Sequence, residues 1–202
     1  MPRRFLALGD SYTVGEGVAA AERWPVQLVA RLRSQGIAVA DPEIVAQTGW
    51  TTDELATAMD AASFDPPYAL VTLLVGVNNQ YRGRPLDEYR AQFYGLLRRA
   101  VDLAGDARHV VAISIPGWGA TPFARREGRA AATVARGIDA FNAAAQAEAK
   151  RAGARWADVT SISCAPDANG ELAADGLHPS GDQYTRWTKA ILPVARAALG
   201  AR

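Results

Sequence analysis

Residues 68–75 read Tyr68-Ala69-Leu70-Val71-Thr72-Leu73-Leu74-Val75, introduced by Pro66-Pro67 and followed at once by Gly76-Val77-Asn78-Asn79. The run is continuous, rich in Val and Leu, and of strand length. A strand with one wet face alternates apolar and polar residues, and this one does not. Apolar on both faces, it belongs in the middle of a parallel sheet covered by helices on each side.

The rest of the chain agrees with that reading. Short apolar runs at 5–8, 43–46, 109–115 and 155–159 read as four further strands, the one at 43–46 being the weakest. Segments of helical period lie between them. Val26, Leu28, Val29 and Leu32 share one face of residues 24–34, and Gly36 stops that helix. Leu55 and Met59 follow a helix start near Thr51 or Thr52, where Asp53 and Glu54 suit the first turn. Residues 85–103 place Leu86, Tyr89, Phe93, Leu96, Leu97 and Ala100 at helical spacing. An Ala-rich helix is expected at 129–152, ended by Gly153, and a closing helix at 183–199. Strands alternating with helices define the α/β class. Parallel neighbours need right-handed crossovers, so the expectation is a three-layer α/β/α sandwich on a five-stranded parallel sheet, flavodoxin-like in outline. No repeat or low-complexity linker divides the chain, and a single domain over residues 1–202 is expected.

Composition narrows the function. The 22 basic and 21 acidic residues leave a formal net charge of +1, which disfavours a nucleic-acid binder, since phosphate neutralisation needs a concentrated excess of Lys and Arg. Arg98-Arg99 and Arg125-Arg126 are brief clusters that read as solvated faces. Cys164 is the only cysteine, so an intramolecular disulfide and a cysteine-type metal site are excluded. It reads as a small filler without a local base. With His109 and His178 the only histidines, no metal and no cofactor is expected. The start Met1-Pro2-Arg3-Arg4 is followed by only four apolar residues before Gly9-Asp10, too few for a signal peptide. No run is long enough to span a bilayer. The chain reads as a cytoplasmic protein without membrane insertion. Its oligomeric state is not legible.

In open parallel sheets the functional crevice lies beyond the carboxyl ends of the strands. Four such places carry polar residues: Gly9-Asp10-Ser11-Tyr12-Thr13, Gln47-Thr48-Gly49-Trp50, Gly76-Val77-Asn78-Asn79-Gln80, and, before the last helix, Asp175-Gly176-Leu177-His178-Pro179. Singly each has a plain reading: Ser11 as a helix cap, Gly49 and the asparagines as turn formers, His178 as a structural residue. Together they have a chemical logic. A serine hydroxyl becomes a useful nucleophile when a histidine accepts its proton, and a carboxylate orients that histidine. Asp175 and His178, three residues apart, can meet within one turn. The oxyanion formed on attack needs preorganised donors, which the backbone N–H groups of Ser11 and Gly49 and the Asn78 amide would supply. Asp158, past the fifth strand, competes for the carboxylate role, but its link to His178 is not local. His109 opens a buried strand at the opposite end and reads as structural.

These four blocks, in this order and spacing over residues 9–179, resemble those of the SGNH (GDSL-type) hydrolases, and in particular the lysophospholipase-like branch. The resemblance implies a serine esterase acting on small acyl esters or lysophospholipid-like substrates through an acyl-enzyme. Ser11 would be the nucleophile, Asp175 and His178 would complete a triad, and Ser11, Gly49 and Asn78 would form the oxyanion hole. Two departures stand out: GDSYT in place of GDSL, and Asn79 where many members carry Asp. Tyr12, Trp50, Tyr81 and Trp118 are candidates for a substrate pocket. The loop at 116–128, with Trp118 and Phe123, is the one placed to cover it. The alternatives are a carbohydrate O-deacetylase of the same family and a non-catalytic flavodoxin-like binding domain. The α/β-hydrolase motif G-x-S-x-G is absent, because Thr13 holds its last position. Neither phosphate-binding glycine motif is present.

Overall fold

The computed structural model describes residues 2–200; Met1, Ala201 and Arg202, which belong to the expected 1–202 domain, lie outside the described residues. Five strands run parallel: β1 (Phe5–Gly9), β2 (Glu43–Ala46), β3 (Leu70–Leu74), β4 (Val110–Ile113) and β5 (Arg155–Ala157). Their order is β2-β1-β3-β4-β5, the flavodoxin-like arrangement. Every residue of β1, β3 and β4 is buried, as expected of strands covered on both faces.

The longer helices are α2 (Trp24–Ser34), α3 (Thr52–Ala61), α5 (Leu86–Ala104), α7 (Ala131–Ala152) and α9 (Gly181–Ala198), and the short ones are α1 (Ser11–Val14), α4 (Val77–Tyr81), α6 (Pro122–Arg126) and α8 (Thr160–Ser163). α2 packs on α9, while α5 packs on both α3 and α7, giving the three-layer sandwich. No helix of the described residues is long and apolar enough to cross a membrane.

Element ends differ from the sequence reading for local reasons. β3 begins at Leu70 because the Tyr68 N–H is drawn to the Leu103 carbonyl (2.9 Å). β5 stops at Ala157 because the Val159 N–H turns to Ser114 Oγ (2.8 Å). The start of α3 is set by Thr51 and Glu54: the Thr51 N–H donates to Glu54 Oε2 (2.8 Å), half of a capping box. α1, α4, α6 and α8 span four or five residues each, too few for a helical period to show in sequence.

Register sets the site. Gly9, the last residue of β1, lies level with Ala46 of β2 and with Leu74 of β3. β1 sits between β2 and β3, where the sheet reverses its direction of growth. Loops leaving a reversal point part company, and a crevice opens between them.

Candidate active site

Ser11 opens α1 two residues past β1 and is almost wholly buried, and Asp10 caps the turn: its Oδ1 accepts the Tyr12 N–H at 3.1 Å. Gly49 follows β2 with φ +88°, a left-handed conformation that favours glycine. Its carbonyl is pinned by Arg82 Nη2 (2.7 Å). Among the described residues, neither the Ser11 nor the Gly49 N–H has a hydrogen-bond acceptor. Gly76, at φ +134°, ends the run beyond β3; a Cβ there would sit 2.5 Å from the Tyr89 ring. Chain and ring are packed too closely for any other residue.

α4 then presents two asparagines with different tasks. Asn78 Nδ2 donates to the Trp50 carbonyl (2.9 Å), and its second amide hydrogen remains available. Asn79 is fully buried and brackets Thr52, accepting from its N–H (3.1 Å) and donating to its Oγ1 (2.7 Å). The bracket ties α4 to the start of α3. An Asp at this position would lose the donor, so the Asn79 departure belongs to the scaffold beside the crevice.

His178 and Asp175 sit in a loop closed by an antiparallel bridge between Leu172 and Pro179. His178 Nδ1 lies 2.5 Å from Asp175 Oδ2, and Asp175 Oδ1 accepts the N–H groups of Leu177 (2.8 Å) and His178 (3.0 Å). Burial raises the Asp175 pKa, but these hydrogen bonds and the neighbouring imidazole outweigh it and hold the carboxyl below its ordinary value. With Nδ1–H given to the carboxylate, Nε2 keeps its lone pair. The Tyr12 ring packs on the imidazole at 5.4 Å. Asp158 is occupied elsewhere: it accepts from Ser114 Oγ and the Thr160 N–H, both at 3.0 Å. His109 lies in the turn before β4, at the amino end of the sheet.

Ser11, Gly49, Asn78 and His178 all line one cavity of about 170 Å³. Tyr12, Tyr81 and Trp118 line it too, but Trp50 does not; its side chain packs against the core and only its carbonyl serves the site. Phe123 and Leu177 complete an aromatic and apolar wall. Tyr81, Trp118 and Phe123 form a triangle with ring centroids 5.5–6.2 Å apart. The segment carrying Phe123 is fastened to the Asp175 loop: the Phe123 N–H donates to Gly176 O (3.1 Å) and Arg126 to Asp175 O (2.6 Å). Leu177 was open to inference from its place between Asp175 and His178. Phe123 sits on the 116–128 loop expected to cover the pocket, and these long-range hydrogen bonds bring it to the wall.

One buried group stands apart. Asp10 is fully buried, and its Oδ2 has no partner among the described residues. Burial pushes its pKa from 3.8 up to about 7, against the opposing pull of the Tyr12 and Gly76 N–H groups. Between those values the unfolded chain releases this proton before the folded one does, so stability falls as pH rises. The full shift corresponds to about 4 kcal/mol. Asp10→Asn stays neutral throughout and should flatten that fall in urea unfolding at pH 4, 5.5 and 7. A variant as pH-sensitive as the wild type would refute this account.

A flavodoxin-like sheet with a serine, a histidine–carboxylate pair and free N–H groups around one crevice defines a hydrolase-like α/β protein. Residues 7–186 match the family model described as GDSL-like Lipase/Acylhydrolase family. The chain belongs to that family and is a hydrolase acting on carboxylic esters. Solved structures with the same fold include TesA (20% identity, TM-score 0.76, covering 97% of this chain and 99% of that one). A lipase/acylhydrolase from Enterococcus faecalis matches at 20% identity and TM-score 0.74, over 95% and 94% of the two chains. The psychrotrophic esterase EstA from Pseudoalteromonas sp. matches at 16% identity and TM-score 0.74, over 98% and 99%. No curated protein matches significantly in sequence.

Proposed function

We propose that the chain is a serine esterase for small acyl esters, with Ser11 as nucleophile, His178 as general base and Asp175 as the residue that orients it. The observation that carries this reading is the 2.5 Å Asp175–His178 contact beside a cavity that Ser11 also lines. Ser11 Oγ attacks the ester carbonyl carbon while His178 Nε2 takes its proton. The carbonyl oxygen becomes an oxyanion, held by the Ser11 and Gly49 N–H groups and by the second amide hydrogen of Asn78. Collapse expels the alcohol, which receives the proton from His178, and leaves an acyl group on Ser11. Water, deprotonated by the same imidazole, then attacks the acyl carbon; the bond to Ser11 Oγ breaks, the acid leaves, and His178 returns the proton to Ser11.

The substrate class follows from the walls. A cavity of about 170 Å³ is smaller than the roughly 300–1,000 Å³ common for drug-sized ligands. Its lining of Tyr81, Trp118, Phe123 and Leu177 suits a short acyl or aryl group better than a sugar. EstA has a structure inhibited by monoethylphosphonate, and the same reagent class tests Ser11. A fluorophosphonate should add its phosphonyl group once per chain, with the adduct located on Ser11 by peptide mass spectrometry. An adduct elsewhere, or none, would remove Ser11 as an activated nucleophile.

A further inference from the structure

Trp118 borders two cavities. One is the cavity of Ser11, and the other, of about 110 Å³, is bounded by the 117–120 segment, α7 and α8. Among the described residues Trp118 alone lines both. Its indole is 2% exposed and held in place: Nε1–H donates to Gln80 Oε1 (3.0 Å), and the ring meets Tyr81 edge-on at 5.5 Å. Gln80 belongs to α4, the same short helix that carries Asn78. The wall is therefore fixed to the helix that carries the Asn78 amide. The second cavity is bounded by small and apolar groups, including Ala120, Ala135 and Ile138, and also by Asp139, Thr160 and Ser163.

We infer that Trp118 is the specificity-determining residue for acyl-chain length, its anchored indole closing the acyl pocket and shutting a chain out of the space behind it. The inference rests on the esterase reading above. A large aromatic that partitions two voids costs little to keep and much to displace, because it packs on both sides. Removing it joins the voids end to end. Each methylene then packed against the apolar part of that space should raise kcat/KM by up to roughly fourfold.

The test measures kcat/KM on p-nitrophenyl acetate, butyrate, hexanoate and octanoate. The wild type should favour the shorter esters. Trp118→Ala should raise the octanoate-to-acetate ratio at least tenfold. Adding Ala135→Phe, which fills the second cavity away from Ser11, should return the ratio to within a few-fold of the wild type. Should Trp118→Ala fail to fold by circular dichroism, Gln80→Leu frees the indole instead and should raise the ratio at least threefold. An unchanged ratio in the folded variant, or a gain that survives Ala135→Phe, overturns the inference. A shift seen only in alkyl acetates of varied alcohol also overturns it, by placing Trp118 on the leaving-group side. Failure of the esterase reading looks different: the wild type would then hydrolyse none of the four esters.

Discussion

Ser11→Ala is expected to lower kcat/KM on p-nitrophenyl acetate by about 10⁴-fold or more, with the fold intact. The hydroxyl is the only atom lost, and among the described residues it makes no hydrogen bond on which the local structure depends. The turn at α1 is held instead by the Asp10 carboxyl group, through its Oδ1, and by the Val14 and Gly15 N–H groups, which reach the Asp10 and Ser11 carbonyls at 3.0 Å. The backbone donors and the His178–Asp175 pair also remain. What disappears is covalent catalysis, so the residual rate should be what oxyanion stabilisation and binding give to direct attack by water. The measurement pairs initial rates with a urea unfolding curve. A variant that unfolds at the wild-type midpoint yet keeps most of its activity would dismiss Ser11 as nucleophile.

Asp175→Asn is expected to cost on the order of 10³–10⁴-fold in kcat, again with little loss of fold. An asparagine can keep Oδ1 in place to accept the Leu177 and His178 N–H groups, so the loop retains its local hydrogen bonds. The other side-chain atom changes from acceptor to donor. An amide N–H facing Nδ1 requires that nitrogen to accept, which moves the ring proton to Nε2. The imidazole then presents a donor where the serine needs an acceptor. In the wild type the depressed pKa of Asp175 keeps the carboxylate ionised into the acid range. The stabilisation it gives is present above the unfolded pKa and fades only as pH falls through the lower folded value. With the side chain about two-fifths exposed, solvent screens that contribution, so the variant's loss should appear in rate rather than in stability. Equal losses in kcat and in unfolding free energy would show a structural role for Asp175 instead.

Much of the fold was legible because its signals are local. The all-apolar run at 68–75 required a sheet covered on both faces, and β3 lies at the centre of that sheet. The helical spacings at 24–34 and 85–103 fall within a residue of α2 and α5, since four or more apolar positions shared each face. The short helices escaped, and so did the fine ends of β3 and β5, which Leu103 and Ser114 decide from far away in sequence. Among the candidate residues, the Asp175–His178 contact was readable from a spacing of three. Trp50 was not. It neighbours Gly49 in sequence, but the turn that directs its carbonyl to Asn78 leaves the indole on the core.

Ser11 marks where the two kinds of information divide. Sequence alone determined that a serine follows the first strand, that a histidine–carboxylate pair lies near the end, and that helices and parallel strands alternate between them. Each of these depends on neighbours a few residues apart, where chain geometry leaves little choice. Tertiary structure alone decided that Gly9 lies level with Ala46 and Leu74, that Ser11 and His178 open into one cavity, and that Trp118 borders both this cavity and another. It also left one Asp10 oxygen buried and unpartnered among the described residues. These outcomes depend on register and packing between segments scores of residues apart, where many pairings satisfy the local pattern and only close packing of the whole selects one.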